Sequence, residues 1–270
     1  MDLSFVRVPA ATNVCVIVSL AIGLLLPVAL LVIWAVKANT KMISALWGAG
    51  CFVVFALIIE ALVHRLVLQV TGTEFFTSFP FYPIYGGLAA GIFEECGRYI
   101  VMRFIMKKKP GKKESIMFGI GHGGIESIIL VGIPYISNIA MIAILNTGNG
   151  NVLMTGMDEA TKTAFFNQIS PLWLSPSVLF LAAGFERIFA ITFHICASYI
   201  VYRAVSGSKP VLLILAIALH ALMDGVMVVI QRFSGSTVVV EAFLGVYAIV
   251  MAIFTVRAYL NEAPASEMST

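Results

Sequence analysis

Charge is what this chain has least of. Asp, Glu, Lys and Arg make up 11% of its 270 residues, against 60% hydrophobic residues and a mean hydropathy of +0.99. Soluble domains carry about 25% charged and about 45–50% apolar residues, so an ordinary soluble domain is excluded. Cysteine is scarce: Cys15, Cys51, Cys96 and Cys196 all fall in apolar stretches, and none forms a CxxC pair. They read as small apolar side chains in helices, with no disulfide and no thiol chemistry. A nucleic-acid-binding basic surface is missing as well, because the net charge of +3 comes from cations gathered in a few loops. No internal repeat of transporter type is visible. The first apolar run, from Val14 to Val36, is too long for a signal-peptide core and has no small-x-small cleavage site after it. It is expected to be a retained span.

What is present is a series of long apolar runs. A helix needs roughly 20 such residues to cross about 30 Å of hydrocarbon. Seven stretches qualify, at about 13–36, 42–66, 84–106, 114–145, 172–204, 210–231 and 237–256. The expected fold is therefore an all-α, polytopic transmembrane bundle of about seven spans, forming a single transmembrane domain over 1–270. The fourth stretch is long enough to hold a break, and Gly132 and Pro134 lie inside it. The segment 146–171 reads as a loop with an amphipathic turn around Asp158–Ile169, and the tail NEAPASEMST as a disordered end.

The placement of cations suggests an orientation. Lys107, Lys108, Lys109, Lys112 and Lys113 share one loop, Lys37 and Lys41 another, and Arg203 and Lys209 a third, with Arg257 after the last span. The opposite loops hold only Lys162, beside Asp158 and Glu159, and Arg232. The positive-inside rule then puts the lysine loop and the C-terminus in the cytoplasm and the N-terminus outside. The lysine loop itself reads as a topology determinant and lipid contact.

Against this apolar background the spans carry many ionisable residues. Each costs at least ~2.5–3.5 kcal/mol at the bilayer centre and tends to mark function. Span three has Glu94, Glu95 and Arg98; span four His122 and Glu126; span five Glu186, Arg187 and His194; span six His220 and Asp224. Span two adds Glu60, His64 and Arg65, of which the His–Arg pair is expected to reach out to the interface. Glu95 lies 12 residues before Lys107, and His122 nine after Lys113. His194 lies nine before Arg203, and His220 11 after Lys209. At a rise of roughly 1.5 Å per residue these depths are about 18, 13, 13 and 16 Å, one layer about 5 Å thick. Glu94 and Arg98, His122 and Glu126, and His220 and Asp224 are four apart and so share helix faces.

An arginine one turn from a carboxylate can neutralise and orient it. A carboxylate one turn from a histidine can fix its tautomer. Glu126, Asp224, Glu186 and Arg187 are the expected supporting residues, with Arg187 pairing with Glu126 or Asp224. Three imidazoles beside a carboxylate are what a catalytic metal site requires, so His122, His194 and His220 are the candidate ligands of a divalent ion, zinc first. Glu94 or Glu95 is the candidate base, and Arg98 orients the pair. Gly119, Gly121, Gly123 and Gly124 around His122 read as close helix packing, with room for a substrate backbone as the second reading.

Four motifs in order, Glu94-Glu95-x-x-Arg98, Phe118-x-x-x-His122, His194 in span five and His220-x-x-x-Asp224, resemble the membrane metalloprotease superfamily. That superfamily includes the CAAX prenyl proteases, the bacteriocin-processing enzymes and PrsW. Within it the closest pattern is that of the YhfC family, with two residues between the Glu pair and Arg98 and with Asp224 ending the last motif. The resemblance covers roughly residues 84–231, leaving flanking spans at 13–66 and 237–256. It implies a CAAX-protease-like core. It also implies hydrolysis of a peptide bond in a membrane protein or peptide, with a Glu of the first motif as base and His122 and His220 at a metal or its water. Two competitors remain: a catalytically inactive scaffold of the same fold, such as the superfamily's non-catalytic subunit of γ-secretase, and a proton-coupled transporter using the same groups as a relay.

Overall fold

The computed structural model describes residues 2–106 and 110–262. Lys107–Lys109 of the lysine loop, and the tail from residue 263 on, lie outside the described residues. Among those described the chain is helical, with no strand. The long helices are α1 (Ala10–Ala38), α2 (Ile43–Thr71), α3 (Phe81–Ile100), α4 (Lys112–Asn146), α5 (Val178–Ser206), α6 (Pro210–Ser234) and α7 (Thr237–Asn261).

Six of these are long and apolar enough to cross a membrane, and the protein is a multi-pass membrane protein. The exception is α3, which the count of apolar runs takes as a span. It is long enough, running on through a π-helical turn to Ile105, but Glu94, Glu95 and Arg98 reduce its apolar character. The fifth span begins at Val178 rather than 172, because Ser175-Pro176 separates it from the short helix Pro171–Leu174. Inside α4 there is no break. A π-helical stretch, Ile128–Gly132, precedes Pro134 and accommodates the proline that a regular helix would reject. The turn expected near Asp158 is a full helix, Glu159–Ile169, capped by Asp158, whose carboxylate accepts from the Thr161 N–H at 2.8 Å.

The described chain divides into two compact units, Met1–Leu26 with Ser127–Ile188, and Pro27–Glu126 with Phe189–Thr270. In the first, Val16, Tyr135, Leu145, Ile169 and Leu172 form an apolar core. Ser19 and Tyr135 both donate to the Phe180 carbonyl, at 2.7 and 3.1 Å. The first unit also contains Glu186 and Arg187, which pair with each other.

The second unit turns the soluble-protein pattern inside out. Leu46, Leu62, Leu66, Val246 and Phe254 are exposed, whereas Glu95, Arg98 and His122 are fully buried. In lipid there is no hydrophobic force to drive helices together, so close backbone approach has to. Gly91 of α3 supplies it toward α6, where a Cβ would stand 2.6 Å from the Ile217 carbonyl oxygen. Gly119 of α4 supplies it toward α5, where a Cβ would stand 2.5 Å from the Ile195 Cα. Gly121 and Gly123 are likewise filled by neighbouring helices, at Ala45 and Ile191. The glycines around His122 therefore hold helices, not substrate. These contacts bring His220 beside α3 and His122 beside His194.

Candidate metal centre

The ionisable residues of α3, α4, α5 and α6 meet inside the second unit. Glu94 and Arg98 share one face of α3, and Arg98 is the hub. Its Nη1 donates to Glu95 Oε1 at 2.5 Å, and its Nη2 donates to Glu94 Oε2 at 3.2 Å and to His194 Nδ1 at 2.6 Å. A guanidinium has only donors. His194 Nδ1 is therefore an acceptor, its proton is on Nε2, and that proton goes to Glu126. Glu126 thus fixes the tautomer of an imidazole on another helix.

His122 Nε2 lies 2.8 Å from Glu94 Oε2, while its Nδ1 is buried with no hydrogen-bond partner. His220 Nδ1 lies 2.7 Å from Glu95 Oε1, where an ionised carboxylate accepts its proton. His220 Nε2 lies 4.0 Å from Glu94 Oε1 and 3.6 Å from Asp224 Oδ2. The imidazoles stand in a row, with ring centroids 4.9 Å apart between His122 and His194 and 5.7 Å between His194 and His220.

Glu94, His122 and His194 each offer one donor atom, and the three atoms lie within 4.8 Å of one another. This group differs from the expected three-histidine set: it includes Glu94 and leaves out His220, which stands next to it. Two observations make a divalent ion fit. The donors are imidazole nitrogen and carboxylate oxygen, the set that zinc and similar ions take. Four carboxylates share the cluster with one guanidinium: Glu94 and Glu95 on Arg98, Glu126 on His194 and Asp224 near His220, and buried charge requires compensation. A dication would supply it.

Sequence reasoning missed the aromatic walls. Phe193 packs edge-on to His220 at 4.9 Å and to His194 at 5.5 Å, and Phe52 packs edge-on to His122 at 5.3 Å. Only the position of Phe193 beside His194 hints at this. Outside the cluster, His64 does not merely reach for the interface. Its Nε2 meets Glu60 Oε1 at 3.1 Å and its Nδ1 meets the Tyr85 hydroxyl at 2.9 Å.

Comparison with known proteins bears on the same residues. The chain is 40% identical over 214 residues to the uncharacterized membrane protein YhfC of Bacillus subtilis (strain 168), covering 78% of this chain and 82% of that one. No solved structure matches. Residues 22–244, which include every member of the cluster, match the model of the YhfC intramembrane metalloprotease family. The chain belongs to that family.

Proposed function

We propose that this protein is a metal-dependent intramembrane endopeptidase, hydrolysing a peptide bond of a membrane-associated protein or peptide. One observation carries the reading: Glu94, His122 and His194, all buried, present three donor atoms within 4.8 Å of one another, with Glu95, Arg98 and His220 around them. The family's description as metalloprotease supports the same reading, and the motif order supports a place in the CAAX protease and PrsW superfamily.

His122, His194 and Glu94 Oε2 would hold the ion, with His220 beside them; zinc is our choice among divalent ions. A bound ion of this kind acts as a Lewis acid and makes water a nucleophile near neutral pH. The chain's own residues do the rest. Glu94 Oε1, which faces His220 Nε2, takes the water proton and returns it to the leaving amine. Arg98 and His220 hold Glu95, which keeps the Glu pair in place from a fully buried position. Glu126 orients His194, and Asp224 lies close to His220. Glu186 and Arg187, held to each other, are support rather than chemistry. We place the protein in a bacterial cytoplasmic membrane with α3 as a seventh span, the N-terminus outside and the C-terminus in the cytoplasm.

The test has two arms. Purified wild-type protein should hold about one divalent ion per chain, and the combined replacement of His122, His194 and His220 by Ala should remove it. Cells carrying Glu94→Gln should accumulate an uncut membrane protein or peptide that wild-type cells process. A low metal content unchanged by the histidine replacements would refute the metal assignment. Metal retained with no client accumulating would favour the scaffold.

A further inference from the structure

A hydrolytic site inside a bilayer needs water, and the cluster is enclosed by helices. Hydrolysis of a peptide bond consumes one water molecule and, near neutral pH, leaves one new carboxylate and one new ammonium. The supply problem is therefore one of water rather than of net protons. The Glu60–His64–Tyr85 network, which takes no part in the proposed chemistry, stands in the right place to solve it.

Glu60 is a buried carboxylate at the end of the π-helical stretch Val53–Glu60. Four residues on, His64 joins it to Tyr85 of α3, and the His64 side chain is 35% exposed. Tyr85 in turn lines an open cavity of about 610 Å³, with Phe75, Ser78, Phe79, Phe81 and Leu88. At the inner end, Gly97 of α3 lies against the Phe55 ring, so α2 and α3 run antiparallel between Phe55–Gly97 and His64–Tyr85. Glu60, part-way between these contacts, is level with a point on α3 roughly one turn, about 5–6 Å, from Glu94. A buried carboxylate, a half-buried imidazole and a phenol thus run in unbroken order from about one turn short of Glu94 to an open cavity.

We propose that Glu60, His64 and Tyr85 line the route by which water reaches the cluster. This rests on the endopeptidase reading for its purpose, but the route itself is a property of the resting protein. A chain of polar groups at this depth in lipid is costly unless it is solvated or paired. His64 pairs with Glu60 and Tyr85, and water entering from the cavity beside Tyr85 takes up the bonding capacity that those two contacts leave over.

Thiol chemistry tests this without substrate or metal, because a cysteine forms the reactive thiolate only where water reaches it. Glu60→Cys and His64→Cys would be made in the full-length protein in its membrane, with Ile58→Cys, exposed on the lipid side of the same helix, as control. A small charged thiosulfonate would be the probe. Peptide mass spectrometry would separate the new sites from the four native cysteines. The thiols introduced at positions 60 and 64 should react at least about tenfold faster than the one at position 58, the effect of one unit in thiol pKa. Leu88→Trp, which fills the cavity, should slow the reaction at position 60. Reaction at positions 60 and 64 as slow as at 58 would overturn the proposal, since lipid or dry packing would then fill the route. Fast reaction at 60 that Leu88→Trp leaves unchanged would overturn the cavity as the entrance. Neither result touches the metal reading, which is tested by metal content.

Discussion

Arg98 Nη2 and His194 Nδ1 are 2.6 Å apart, and the arginine is necessarily the donor. That one contact sets the protonation of His194, because the ring nitrogen facing Arg98 carries a lone pair and the other carries the proton held by Glu126. An ion held here would take this Nδ1 lone pair, 3.9 Å from Glu94 Oε2, in place of the Arg98 contact, while Glu126 keeps its hold on the Nε2–H. A carboxylate behind a histidine ligand contributes about 10–100-fold to metal affinity as a rule of thumb. Glu126→Ala should therefore weaken zinc binding by about 10–100-fold, and Glu126→Gln, which keeps an acceptor, by less. Competition titration against a chelator measures both. The ¹⁵N shifts of His194 in metal-free protein should show the Nε2-protonated tautomer in the wild type and a weaker preference for it in Glu126→Ala, where Arg98 alone still requires a lone pair on Nδ1.

Arg98 also carries the electrostatic balance. It is fully buried and touches Glu94, Glu95 and His194 at once. Removing one partner of a buried ion pair costs about 3–5 kcal/mol, because the remaining charge is left uncompensated. Arg98→Ala should accordingly lower the midpoint of thermal unfolding in detergent or abolish accumulation of folded protein. Arg98→Lys should recover only part of the loss, since a point charge cannot span three acceptors as the planar fork does. An Arg98→Ala protein as stable as wild type would mean that the Glu pair is protonated and needs no counter-charge.

Much of this arrangement is legible in the sequence, for a specific reason. In an apolar span an ionisable residue is conspicuous, and its distance from the basic loops gives its depth. His122, nine residues from Lys113, and His194, nine from Arg203, fall in one layer by counting. The helices are legible for the same reason, and α3 is the hardest to classify because Glu94, Glu95 and Arg98 dilute its hydropathy. What counting cannot supply is rotation about each helix. Spacing assigns Glu126 to its own neighbour His122, yet it bonds to His194 on α5. Tyr85 gives no signal at all, since nothing in its surroundings names His64 as a partner. The place of Glu94 Oε2 beside the imidazoles depends on a side-chain direction that no spacing encodes.

The different positions of the three histidines lead to different expectations. His122 and His194 belong to the compact donor group, whereas His220 Nδ1 is engaged by Glu95 and its Nε2 lies 4.0 Å from Glu94 Oε1. His122→Ala and His194→Ala should each reduce bound metal to below about a tenth of the wild-type content, and His220→Ala should retain most of it. In the same protein His220→Ala should impair processing of the client as severely as Glu94→Gln, because Glu94 and Glu95 lose the imidazole between them. Elemental analysis of the three purified variants decides the first point. Equal loss of metal from all three would restore His220 to the ligand set.

The last expectation concerns the helix contacts that make the cluster possible. A Cβ at Gly119 would stand 2.5 Å from the Ile195 Cα, and one at Gly91 2.6 Å from the Ile217 carbonyl oxygen. Both neighbours are backbone, which cannot swing aside as a flexible side chain would, so the helices themselves must part. Overpacking of this kind costs about 1–3 kcal/mol or more. The displacement also matters for chemistry: Gly119 is one turn from His122, and Gly91 is one turn from Glu95. Gly119→Val should separate His122 from His194, and so lose metal. Gly91→Val should instead loosen the α3–α6 contact, and so spare metal binding more than it spares client processing. Gly86, whose Cβ would meet nothing within 4 Å, provides the control on α3: Gly86→Ala should leave stability, metal content and processing near wild type. If Gly119→Val bound metal as wild type does, helix packing would not be what brings the two imidazoles together.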